Sequence, residues 1–179
     1  VKDVFPELAK EWSSKNEKSP SEFSIGSPER IWWKCDKHGD FLTPIFYRTY
    51  KKTGCPSCNS SKGEISISNY LNKVIGIENY FREYKIKNTI VSKMKFDFFI
   101  PSLKLIIEYD GIAHFKPIRF GGVSEEEAKE NLKSQKKRDR IKNKFCKKEN
   151  YNLLRISYLE FSDIESILEK TLKNLLVIE

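Results

Sequence analysis

The hydrophobic positions of this chain follow two different rhythms. Up to about residue 60 they are short, aromatic and often interrupted. Phe5-Pro-Glu-Leu-Ala-Lys-Glu-Trp12 carries a proline near its start and predicts a short helix. Ser19-Pro20 and Ser27-Pro28 mark turns. Ile31-Trp32-Trp33-Lys34 predicts a strand, and Phe41 to Tyr47 its returning partner. Further on, the runs lengthen. Ile67, Tyr70, Leu71 and Val74 recur at helical spacing and predict an amphipathic helix from Glu64 to about Val74. Phe81 to Ile86 predicts a strand. Met94–Ile100 and Leu105–Tyr109 are aromatic and β-branched, and Pro101-Ser102 between them predicts a hairpin.

After the hairpin comes an irregular stretch, Phe115 to Val123, with the pair Gly121-Gly122. Ser124 is a good N-cap, and Glu127 three residues on predicts a capping box for a helix over Glu125–Lys148. Tyr151 to Ser157 predicts a last strand. The stripe Ile164, Ile167, Leu168, Leu172 and Leu175 predicts a final core helix over Ser162–Leu176. Helix, three strands, helix, strand and helix imply an α/β (α+β) fold, a mixed sheet with helices on both sides. The polar run Asn59-Ser-Ser-Lys-Gly63 is the natural boundary. It divides the chain into a module at 1–60 and a second domain at 61–179.

The hairpin also carries acids. If Ile100 pairs with Leu105, Asp97 falls opposite Glu108, since antiparallel partners keep a constant index sum. Opposed residues share a face, with Cβ atoms roughly 5 Å apart. Asp110 lies two residues past Glu108 and joins them. Carboxylates inside apolar strands demand a cation or a proton. An all-oxygen ligand set suits Mg²⁺ or Mn²⁺. Gly111 and His114 follow, the histidine as a base or further ligand. Glu64, in the first turn of its helix, either complements the helix dipole or points towards the acids. Gln135, Asp139, Lys142 and Cys146 fall on one helical face.

Charge narrows the partners. The chain has 179 residues and a formal net charge of +8. Nucleic acid is the usual polyanion met by a basic chain of this size. No apolar run reaches the roughly 18 residues of a membrane span, and no secretory signal is visible, so an intracellular protein is expected. Three of the four cysteines join a histidine in the pattern Cys35-x-x-His38 and Cys55-x-x-Cys58. Two such knuckles supply the four ligands of a tetrahedral structural Zn²⁺. A module of this size has little core, so the metal must supply much of its stability. Trp12, Trp32 and Trp33 read as packing around it. Arg48, Lys51 and Lys52, before the second knuckle, are the expected phosphate contacts.

Two resemblances sharpen this reading. Pro6-Glu-Leu-Ala-Lys-Glu-Trp12, Gly26-Ser27, Trp32-Trp33-Lys34-Cys35, His38, Arg48 and Gly54-Cys-Pro-Ser-Cys58 resemble a treble-clef zinc domain of the kind found beside nucleases in phage, viral and mobile-element proteins. In the second domain, the element order resembles the PD-(D/E)XK nuclease superfamily, together with Gly63-Glu64, Phe96-Asp97, Glu108-Tyr-Asp-Gly111, His114, Asp139-x-x-Lys142 and Leu154-Arg-Ile156. More narrowly, it is similar to the branch of very-short-patch-repair and phage homing endonucleases. That resemblance implies a restriction-endonuclease-like core and metal-binding roles for Asp97 and Glu108. It also implies an active-site histidine at His114 and an acid on the first helix at Glu64. The chain departs from the pattern twice. Phe96 stands where the name-giving proline would be, and Asp110 replaces the usual lysine, whose task would pass to His114 or Lys142.

These readings converge on Mg²⁺-dependent hydrolysis of DNA phosphodiesters, on double-stranded DNA, by a monomer or homodimer. The rivals are an inactive nucleic-acid-binding protein and a nuclease subunit of a larger recombination or transposition assembly.

Overall fold

Proline placement shapes the beginning of the chain. Pro6 opens helix α1, Pro6–Lys10, where its missing N–H costs nothing. Strand β1, Arg30–Cys35, and strand β2, Gly39–Pro44, form an antiparallel ribbon in which Trp33 faces Phe41. The returning strand predicted to reach Tyr47 stops at Pro44. Extended there, with φ −60° and ψ 145°, Pro44 caps helix α2, Ile45–Thr49. A proline at that position favours a turn into helix over another ladder residue.

The computed structural model describes residues 1–87, 89–119 and 121–176. Phe120, inside the predicted irregular stretch, and residues 177–179, at the end of the second segment, lie outside them. The chain divides into two units, Val1–Ser60 and Ser61–Glu179. The first has its own core of Val1, Ile31, Trp33, Phe41, Ile45 and Cys55. Trp33 is completely buried, and its indole N–H donates to the Thr43 carbonyl at 3.1 Å.

The second unit opens with helix α3, Lys62–Val74. It starts two residues earlier than predicted, because Ser61 and Glu64 form a reciprocal capping box. Strands β3 (Phe81–Tyr84), β4 (Phe96–Ile100), β5 (Leu105–Asp110) and β6 (Asn152–Ser157) build one sheet in the order β3-β4-β5-β6. The first three are antiparallel and β6 runs parallel to β5. Helix α4, Glu125–Lys148, is the crossover between β5 and β6. Helix α5, Ile164–Leu176, closes the chain after a 3₁₀ turn at Tyr158–Asp163.

Alternation along the strands sends two sets of side chains in opposite directions. Phe98, Ile100, Leu105 and Ile107 pack with Ile67 and Leu71 of α3 and Ile164, Leu168 and Leu172 of α5. Phe99 and Ile106 pack with Phe145 and Cys146 of α4. The mixed sheet is thus covered on both faces, and Cys146 is buried in the second of these clusters.

Candidate functional site

Each unit gathers chemically capable side chains. In the first unit, Cys35 closes β1 and His38 follows in the turn, with the His38 N–H donating to the Cys35 carbonyl at 3.3 Å. Cys55 and Cys58 bracket the second knuckle, and the Cys58 N–H donates to the Cys55 carbonyl at 3.1 Å. These backbone bonds aim the side chains at one point. Cys35 Sγ lies 3.7 Å from both Cys58 Sγ and His38 Nδ1. The same Nδ1 is 3.6 Å from Cys58 Sγ and 3.8 Å from Cys55 Sγ. A tetrahedron built on Zn–S bonds of about 2.3 Å has edges of about 3.8 Å, so three thiols and an imidazole stand at zinc-ligand spacing. None of the four cysteines forms a disulfide. Burial pushes the Cys35 thiol up, but the backbone N–H groups of Lys37 and His38 and the His38 ring outweigh it and bring it down to about 7. That favours the thiolate a metal requires. Burial pushes Cys55 the other way, up to about 11.

The three expected phosphate contacts separate. Arg48 is on α2 and only 6% exposed. Its guanidinium pairs with Glu11, donates to the Thr53 carbonyl at 2.7 Å and lies over the Trp33 and Phe41 rings. This arginine holds the module together and has no face for a phosphate. Lys51 and Lys52 are exposed.

In the second unit, the β4–β5 ladder runs Ile100↔Leu105, Phe99↔Ile106, Phe98↔Ile107, the predicted register. One step further Asp97 leaves the ladder. Its Oδ2 accepts the Tyr109 N–H at 2.8 Å. Glu108 is 2% exposed and its neighbour is Lys142, whose Nζ donates to the two carboxylate oxygens at 2.9 and 2.7 Å. Lys142, 9% exposed, also stands 5.1 Å over the Phe96 ring. Burial raises the Asp97 carboxyl, and Glu64 adds to it, against the Tyr109 N–H and Lys142. Burial, then the Asp97 charge, push Glu108 up to about 7 despite its lysine. Glu64 caps its own helix, and its Oε2 lies 3.7 Å from Arg82 Nη2. Its Oε1 accepts from the Ser61 hydroxyl at 2.9 Å, and its charge acts on Asp97.

Asp110 belongs to a different set. Arg155, on β6, donates to Asp110 Oδ2 from Nε at 2.7 Å and to Asp139 Oδ1 from Nη2 at 2.9 Å. Burial alone would weaken the guanidinium's charge, but Asp110 and Asp139 outweigh it and hold the proton more firmly. His114 Nδ1 lies 2.9 Å from Asp139 Oδ2 and 3.2 Å from Asp110 Oδ1. That nitrogen therefore carries the proton, and the Gln135 amide nitrogen lies beside the ring, 3.2 Å from Nε2 and 3.3 Å from Nδ1. Sequence reasoning placed Asp139 and Gln135 on one helical face but gave neither a part in the site. The signal was the i, i+4, i+7 spacing of Gln135, Asp139 and Lys142, which points all three from α4 towards β5.

Among the described residues two groups have metal-capable geometry, the Cys35–His38–Cys55–Cys58 set and Asp110–His114–Asp139. The segment 8–61 matches the family described as Probable Treble clef zinc finger domain, and the four zinc-type ligands all fall within it. No curated protein and no solved structure matches the chain. Among the described residues, no helix is long and apolar enough to cross a membrane.

Proposed function

We propose that the chain is a divalent-metal-dependent DNA endonuclease whose zinc module adds affinity for the nucleic acid. The observation that carries this reading is the convergence of Asp97, Glu108 and Lys142, with Asp139 on α4, Arg155 on β6 and His114 just past β5 beside them. Two carboxylates raised by burial, with oxygen-only donors, fit Mg²⁺ or Mn²⁺, because a cation relieves the charge that burial penalises. A divalent ion held by Asp97 and Glu108 would polarise the phosphodiester and lower the pKa of a water.

The chain's own groups supply the rest. His114 takes the proton of the attacking water at Nε2, beside the Gln135 amide. Asp139 holds Nδ1 protonated and fixes the tautomer. Lys142 and Arg155 stand where charge develops on the phosphorane and take the place of the superfamily's lysine. Asp110 orients Arg155 and His114. In the zinc module, Lys51 and Lys52 contact phosphates, which position the nucleic acid without reading sequence.

A second reading, a binding protein without cleavage, is favoured by one specific observation. Lys142 already neutralises Glu108, so the acid has a cation without any metal. Supercoiled plasmid separates the two readings. Wild type should convert it to nicked or linear DNA with Mg²⁺ or Mn²⁺, and Asp97→Ala should not. Equal background from both proteins, with either metal, overturns the nuclease reading.

A further inference from the structure

Helix α2 is short, but its two sides are unlike. Ile45, Arg48 and Thr49 are buried. The Thr49 hydroxyl donates to the Ile25 carbonyl at 2.6 Å, and the Phe46 N–H to the Ser27 carbonyl at 3.0 Å. Past the helix, the Thr53 N–H and hydroxyl both donate to the Tyr47 carbonyl, at 3.0 and 2.9 Å. The helix is therefore fixed at its sides and its end. On its other side it presents aromatic rings. Tyr47 is 49% exposed and Tyr50 57%, and both rings lean on the half-buried Phe46, with centroids 6.0 and 5.4 Å away. Tyr50 also touches Gly26, 3.7 Å from where a Cβ would stand. A module with so small a core gains by burying aromatic surface, and it buries Trp33 completely while leaving these rings in water.

Charge indicates what covers them. Residues 41–60 contain no Asp or Glu, while the exposed Lys51 and Lys52 lie among them. Lys51 Nζ sits 5.6 Å from the Phe46 centroid, and Lys52 follows with a left-handed φ of 50°. Paired bases in a duplex show their faces only to one another, so a ring cannot stack on them from outside. Unpaired bases offer a free face to any aromatic, and the phosphates beside them take the lysines. We infer that the α2 face of Phe46, Tyr47 and Tyr50, flanked by Lys51 and Lys52, binds single-stranded DNA by stacking its bases. This deepens the proposed function, in which the zinc module contributes DNA affinity, and the substrates it favours carry an unpaired segment.

The test is fluorescence anisotropy of the full chain with labelled oligo(dT), a duplex of the same length and oligo(rU), without added Mg²⁺. Wild type should bind oligo(dT) more tightly than the duplex. Tyr47→Ala/Tyr50→Ala should weaken oligo(dT) binding by roughly tenfold or more, with little change on the duplex. Tyr47→Phe/Tyr50→Phe, which keeps the rings, should bind like wild type. Zinc content equal to wild type shows that each variant keeps its fold. Unchanged oligo(dT) affinity in the alanine variant, an equal loss on duplex, or tighter binding to oligo(rU) than to oligo(dT) overturns the inference. Cleavage is not read in this assay, so failure of the nuclease reading leaves the result interpretable.

Discussion

Lys142 and Glu108 hold each other in a site that water scarcely reaches, at 9% and 2% exposure. Breaking a buried pair from one side leaves a charge without a partner, which costs on the order of 3–5 kcal/mol. Lys142→Met should therefore destabilise the second unit most at about pH 9, where Glu108 is ionised in the wild type, and less as the pH falls and the carboxyl takes up a proton, in urea unfolding followed by circular dichroism. Adding Glu108→Gln should recover most of the loss, because an amide needs no counter-ion. The same carboxylate sets a pH dependence. Its pKa is raised to about 7 from an ordinary 4.5, so in the metal-free fold it is protonated below about 7. A protonated carboxyl is a poor metal ligand, so Mn²⁺ affinity should fall as the pH drops through about 7 and recover above it. Calorimetry should show proton release on binding, and affinity independent of pH would contradict Glu108 as a ligand. At this scale the sequence was legible where residues are close along the chain. The zinc-type knuckles follow from spacing alone. Arg48 was not legible, since its burial comes from Glu11 and the Trp33 and Phe41 rings, which only the folded ribbon brings around it. The Asp139–Arg155 contact depends on how α4 crosses β6 and leaves no local trace.

Gly63 shows an element fixed by one contact. A Cβ there would fall 2.0 Å from the Tyr109 ring, so the start of α3 approaches β5 only because this residue has no side chain. Alanine would ordinarily favour a helix by up to about 1 kcal/mol over glycine. Gly63→Ala should nevertheless lower stability, by displacing Tyr109 and with it the backbone N–H that holds Asp97. In a Tyr109→Leu background the same change should cost less, and a double-mutant cycle in urea measures the difference. Additive losses would show that the two residues do not meet. Elements were largely readable because periodicity is local. The hairpin register held as far as Phe98↔Ile107, then yielded to a side-chain bond from Asp97 that a strand pattern cannot encode. The strand predicted over Phe41–Tyr47 was cut by Pro44, whose effect the aromatic run concealed.

The chain divides into two units with separate cores, and the Cys35–His38–Cys55–Cys58 group lies in the first. A metal that completes so small a core contributes directly to folding. Its loss should unfold residues 1–60 and leave the sheet and helices of 61–179 in place. The chain provides a reporter for each half. All three tryptophans, Trp12, Trp32 and Trp33, lie in the first unit, and the two longest apolar-faced helices, α3 and α5, lie in the second with the 24-residue α4. A strong zinc chelator should therefore shift tryptophan emission to the red, as the buried Trp33 meets water, while the helical circular dichroism signal stays nearly constant. Returning Zn²⁺ should reverse the shift, and Cys55→Ser, which removes a ligand, should show red-shifted emission without any chelator. If helical signal and tryptophan emission are lost together, folding of the second unit depends on the metal, and the separate cores do not make separate folding units.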